Sequence, residues 1–71
     1  MIKPGSRIRL NALTQNRETY FALAEVVNIS DLSITIKYVC KVHDDKKGKI
    51  EPEFKTESFL MTKVKRIQEW L

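Results

Sequence analysis

Sulfur, imidazole and the residues that free or lock the backbone are all scarce in this chain. Its 71 residues include one cysteine, one histidine, two glycines, two prolines and one tryptophan. With Cys40 alone, an intrachain disulfide framework is excluded, and a reducing, cytoplasmic setting is the expectation. A metal site needs several histidine, cysteine or carboxylate groups able to converge. His43 with Asp44 and Asp45 is the one cluster of that kind, and it reads as a solvated loop, so neither metal nor cofactor is expected. Cys40 and His43 stand three apart on a strand and so point to opposite faces, which argues against a nucleophile–base pair. Cys40 falls on the apolar phase of its strand and reads as a small buried hydrophobe. Gly5 and Gly48 are too far apart to form a phosphate-binding loop. Glu51 and Glu53 share a strand face flanked by Lys49 and Lys55, a charged edge rather than an acid–base pair. No catalytic constellation remains, so neither an enzyme nor a small-molecule substrate is expected. No run approaches the ~20 apolar residues of a membrane-spanning helix. The opening MIKPGSRIRL has neither a long apolar segment nor a small-residue cleavage site, so no signal peptide is expected.

What the chain does hold is alternation and positive charge. At this length there is room for one domain, spanning 1–71, with a small core, since such a chain buries only about 60% of the surface it exposes when unfolded. Hydrophobic residues make up 42% and charged residues 31%, enough apolar content to fold and enough charge to keep a wet skin. Lysine and arginine total 13 against 9 acids, net +4. Residues 1–17 carry Lys3, Arg7, Arg9 and Arg17 without an acid.

The stretch AEVVNISDLSITIKYVCKV, residues 24–42, organises the rest. Ile34, Ile36, Tyr38, Cys40 and Val42 recur on every second residue with polar neighbours at Thr35, Lys37 and Lys41, the pattern of a strand wet on one face. Lys3-Pro4-Gly5-Ser6 reads as a turn, and Arg7-Ile8-Arg9-Leu10 as a half-buried strand. Asn11–Glu18 is polar and reads as an exposed loop, and Tyr20–Ile29 as a strand apolar on both faces, hence central, bent or at an interface. Ser30–Ser33 turns the chain into a third strand over 33–42. A charged loop over 43–49 leads to a fourth strand starting at Ile50, in which Pro52 marks an edge or a bulge. After a short turn at Met61–Lys63, Val64–Ile67 reads either as a closing strand beside the first or as a short C-terminal helix, because Val64, Ile67 and Leu71 also fit a helical spacing. Short strands separated by turn signals predict an all-β, five-stranded small barrel wrapped around Ile8, Val27, Ile34 and Ile36, with a C-terminal helical turn as the variant.

The order of these pieces resembles the Src-homology-3-like small barrels, in particular their Tudor, agenet and ribosomal-protein branches. A Pro-Gly turn leads into Arg-Ile-Arg-Leu; a strand ending Glu-Val-Val-Asn-Ile is followed by Ser-Ile-Thr-Ile-Lys-Tyr; and Val-Lys-Arg-Ile closes the chain. The resemblance runs through most of the sequence in apolar phases and turns. It implies a fold with a sharply bent second strand and a last strand returning to the first, and it does not imply an activity. Two features depart from those branches. A methyl-reading aromatic cage would draw on Tyr20, Tyr38, Phe54 and Phe59, but Tyr38 and Phe54 fall on apolar phases and read as core. Ser30-Asp31 stands where the ribosomal type has a glycine-centred turn.

Function follows from surface chemistry. Arg7 and Arg9 project from one face of the first strand, Lys65 and Arg66 come beside them if the last strand pairs there, and Lys37 and Lys41 line the wet phase of the third. Such a surface can follow a phosphate backbone, with a tyrosine or tryptophan stacking on a base, or it can serve solubility alone. Tyr20 and Trp70 are the candidate partner-binding aromatics. Trp70 reads as either a cap on the open end of the barrel or an anchor for a partner. Nucleic acid is the first expected partner; a protein partner or a homodimer, using the 11–18 loop, the Pro52 edge and Trp70, is the alternative; a membrane is not expected.

Overall fold

The computed structural model describes residues 1–44, 48 and 50–70, with side chains at 1–40, 48 and 52–70. The expectations that rest on the side chains of Lys41 and His43, on Asp44, Asp45 and Lys49, on the apolar phase at Val42 and Ile50, and on Leu71 lie outside these. Five antiparallel strands form one sheet: β1 (Arg7–Thr14), β2 (Arg17–Ile29), β3 (Ser33–Asp44), β4 (Ile50–Leu60) and β5 (Val64–Glu69), with a single 3-10 turn at Met61–Lys63. Their order is β4-β3-β2-β1-β5. The last segment is the strand paired with β1 (Leu10 opposite Ile67), not the helix its spacing also allowed. No helix among the described residues is long and apolar enough to cross a membrane.

The inner face is aliphatic. Ile8, Leu10 and Ala12 from β1, Phe21, Ala24 and Val26 from β2, Ile34 and Ile36 from β3 and Phe59 from β4 form one buried cluster. Residues of β1 meet residues of β3 and β4 there although β2 separates them in the sheet, so the sheet curls around its core. The rings of Phe21, Tyr38 and Phe59 meet at tilted angles with centroids 4.7 and 5.6 Å apart, the offset geometry aromatic quadrupoles prefer. Tyr38 sits half-buried against this cluster, as its phase predicts.

The curl does not become a barrel, which corrects the expected closure. β4 and β5 are the two edges and do not pair. The pairing of β3 with β4 explains it. That pairing runs from Ser33–Leu60 out to Asp44–Ile50, whereas β2 pairs with β3 only between Ile29–Ile34 and Ala24–Tyr38. The outer part of β3 and β4 is therefore a two-stranded ribbon leaving the sheet, consistent with a molecule 44 Å long and 17 Å thin.

β2 is apolar in both phases because it changes phase twice. Between Ile8–Ala24 and Leu10–Phe21 it carries an extra residue, and again between Val26–Ile36 and Asn28–Thr35. Each bulge flips the side chains that follow to the other face. Phe21, Ala24 and Val26 consequently all point inward, while Leu23 and Val27 point out. Val27, expected in the core, is 45% exposed for this reason. Phe54, also expected in the core, is exposed on the outer face, because β4 alternates without a break from the inward Phe59 and so sets Phe54 opposite the outward Val39. Just beyond that pair, β3 carries an extra residue between Val39 and Lys41. Cys40 is that extra residue. It is half-buried rather than buried, its thiol donating to the Glu53 carbonyl at 3.4 Å.

The turns explain the boundaries. Gly5 takes φ +92° after Pro4, Ser6 N–H donates to the Lys3 carbonyl, and the turn is fastened to β2 by Gly5 N–H donating to the Val26 carbonyl and Val26 N–H donating to the Ser6 carbonyl. Ser30 Oγ accepts the amides of Leu32 and Ser33, which sets the β2–β3 reversal without a glycine. The expected 11–18 loop is absent. β1 continues to Thr14 and reverses through Gln15 and Asn16, whose φ angles of 49° and 64° make a two-residue hairpin turn. Pro52 lies in edge strand β4, where a missing N–H costs the ladder little.

Candidate functional site

The outer face of the sheet carries the cations and most of the exposed rings. On β1 the inward residues Ile8, Leu10 and Ala12 leave Arg7, Arg9 and Asn11 facing out. On β5 the half-buried Ile67 leaves Arg66, Gln68 and Trp70 on the outer phase. The register then builds rows across the strands. Arg66 lies opposite Asn11 and Asn11 opposite Tyr20; Gln68 lies opposite Arg9. These residues line a depression of about 290 Å³ containing two guanidinium groups and a tyrosine ring, with no carboxylate in its wall. Asn11 donates through Nδ2 to Glu18 Oε1 at 2.9 Å, which holds that nearby carboxylate to one side.

Trp70 extends the site past the end of β5. Its N–H donates to the Arg7 carbonyl at 2.8 Å, continuing the ladder. Its indole N–H donates to the Ala22 carbonyl at 2.9 Å, and the Arg9 guanidinium lies 3.7 Å from the ring centroid. The expectation that Trp70 caps an open barrel end is therefore corrected: it lies across the outer face, fixed by a hydrogen bond and a cation–π contact. A further depression of about 400 Å³ opens beside it between Arg7, Ala22 and Leu23.

On the ribbon side, Lys37 Nζ sits 4.8 Å over the Phe54 ring, next to exposed Val39 and Leu23. The row joining the two halves alternates in charge, Arg7 opposite Glu25 and Glu25 opposite Lys37. Among the described residues Arg7, Arg9, Lys37 and Arg66 have no carboxylate partner within 4.0 Å; the Met1 ammonium pairs with Glu69 at 3.8 Å.

Of the residues singled out from the sequence, the structure brings Arg7, Arg9, Arg66, Tyr20 and Trp70 together on one face and places Lys37 on the same face further along. Lys65 does not join them. It is the extra residue where β5 shifts register between Asn11–Arg66 and Ala12–Val64, exposed but outside the depression. Gln68 and Leu23 were missed, Asn11 was read only as part of an exposed loop, and Phe54 was read as core. The signal for Gln68 was present: Arg66, Gln68 and Trp70 follow every second residue, the spacing of a single strand face. The Tyr38 hydroxyl is held above the usual tyrosine pKa, by partial burial first and by the nearby Glu57 carboxylate second. No group of three or more candidate metal ligands occurs among the described residues. No protein-family model matches the chain, and neither a curated protein nor a solved structure is significantly similar to it.

Proposed function

We propose that the protein is a non-catalytic binding module whose outer sheet face takes nucleic acid through phosphate contacts from Arg7, Arg9, Arg66 and Lys37. The observation that carries this reading is the depression where Arg9 and Arg66 flank Tyr20 with no acid in the wall. Guanidinium groups without carboxylate partners are free to take phosphate oxygens in bidentate fashion, and the neighbouring ring offers a surface to a base. Such contacts release condensed counterions, so binding weakens with salt. Four cations predict a slope of log K against log salt of about −3. The test is a salt-dependent binding series with DNA and RNA, comparing the native chain with Arg7→Glu/Arg66→Glu. Affinity indifferent to salt, or equal in the variant, removes this reading.

A second reading rests on exposed Leu23, Val39 and Phe54, which place apolar surface beside the cations. An apolar patch rimmed by charge also suits a protein partner or a second copy of the chain. Sedimentation at rising concentration separates the two. Self-association abolished by Leu23→Glu favours assembly; a monomer that binds nucleic acid favours the first reading.

A further inference from the structure

Resting on the nucleic-acid reading, we infer that the ligand is single-stranded, held by stacking on Tyr20, Trp70 and Phe54, with the cation beside each ring neutralising the adjoining phosphates. The three rings share one sheet face and remain 56%, 41% and 51% exposed. In a small domain short of apolar core, this is costly surface to leave in water. Each ring also has a cation beside it, Arg9 serving two of them. Tyr20 shares its depression with Arg9 and Arg66, Trp70 has Arg9 at 3.7 Å, and Phe54 has Lys37 at 4.8 Å. Aromatic platforms set along a cationic surface are the physical requirement for binding unpaired strands, because every base has a face to stack and every link carries a phosphate.

A duplex would not use this arrangement. It presents phosphates outward and keeps its base faces stacked inside, so the rings would gain nothing. Trp70 is held in place before any ligand arrives, its indole N–H bonded to the Ala22 carbonyl and one side covered by Arg9. Little rotamer freedom is then lost on stacking. Along β1, the step from Asn11, opposite Tyr20, to Arg7, opposite Trp70, is four residues, about 13 Å at ~3.3 Å per residue. An extended strand must therefore place at least about two nucleotides between these rings, with Phe54 further along the same face, toward the lower end of the ~4–16 found for single-strand sites on small β-folds.

Trp70 is the only tryptophan, so its fluorescence reports on the site directly. The probes are oligouridylate and oligothymidylate of about 12 nucleotides and a duplex of equal length, titrated at low salt and at ~200 mM. The expected result is quenching of Trp70 by the single strands, with affinity at least about tenfold above that for the duplex. Tyr20→Ala and Phe54→Ala should each weaken single-strand binding by about 5- to 100-fold, and Tyr20→Phe should restore it. Both side chains are exposed, so an unchanged melting temperature distinguishes a lost platform from a lost fold. Duplex binding as tight as single-strand binding, or affinity unchanged in Tyr20→Ala, overturns this inference while leaving phosphate binding in place. If no probe binds at low salt, the nucleic-acid reading falls as well.

Discussion

The two faces of this one sheet obey different rules. Inside, Ile8, Leu10, Ile34 and Ile36 are wholly removed from water and exclude polar groups. Outside, the same strands carry Arg7, Arg9, Lys37 and Arg66 interleaved with Tyr20, Trp70 and Phe54. The inner face holds the chain together by removing apolar area from water. The outer face leaves apolar rings partly in water and cations with no carboxylate within 4.0 Å among the described residues, neither of which is needed to hold the core together. That contrast is the physical basis for proposing that recognition takes place on the outer face.

Substitutions can break the contrast, beginning with the core. Ile36→Ala should cost about 2–5 kcal/mol of stability, because it opens a cavity in a fully buried site. Val27→Ala, in the same kind of residue on the other face, should cost under ~1 kcal/mol. Urea unfolding measures both, and equal losses would mean the second β2 bulge is misplaced. Arg7→Glu/Arg66→Glu should show the converse: binding lowered about tenfold or more and a salt slope shallower by about 2, with the unfolding midpoint nearly unchanged. At the β1–β2 turn, Asn16→Ala should cost about 1 kcal/mol, since alanine resists the left-handed angle there, and Asn16→Gly should restore it. The smallest effect concerns Tyr38. Its raised pKa means the folded state keeps the hydroxyl proton more tightly than the unfolded chain. The associated stability is present in full below the unfolded tyrosine value of about 10 and is lost as pH rises through the folded value. Thermal melts above about pH 10 should fall less steeply for Tyr38→Phe, which keeps the ring against Phe21 but has no proton to lose.

Much of this division is written in the sequence where strands keep strict alternation. Ile8 and Leu10, then Ile34, Ile36 and Tyr38, fix their faces by spacing alone, and Arg7, Arg9 and Lys37 follow as the opposite phase. Legibility fails at the bulges. Tyr20–Ile29 offers apolar residues in both phases, and only the inserted residues decide that Ala24 and Val26 go in while Leu23 and Val27 go out. Phe54 faces outward because β4 alternates from Phe59 without a break, the phase opposite to the one read locally from Ile50, Pro52 and Phe54. The β1–β2 turn was hidden because Gln-Asn lacks the glycine that usually marks a two-residue reversal, leaving a polar strand pair to pass for a loop. Closure misled for a different reason. Short strands and returning ends are shared by barrels and by open curled sheets, and the long β3–β4 ribbon that keeps the edges apart is a matter of register, which spacing does not encode. Of the candidate site, the cations were visible as a phase. Their assembly around Tyr20 and Trp70 depended on β5 pairing with β1 in the register that sets Arg66 across from Asn11.

The most direct test of the outer-face account is a side-chain NMR titration with oligouridylate at low salt. The account predicts that the ring signals of Tyr20, Phe54 and Trp70 and the Nε signals of Arg9 and Arg66 move together, while the methyl groups of Ile8, Ile34 and Ile36 stay where they are. Shifts confined to other surfaces, or none at any ligand concentration, would contradict it.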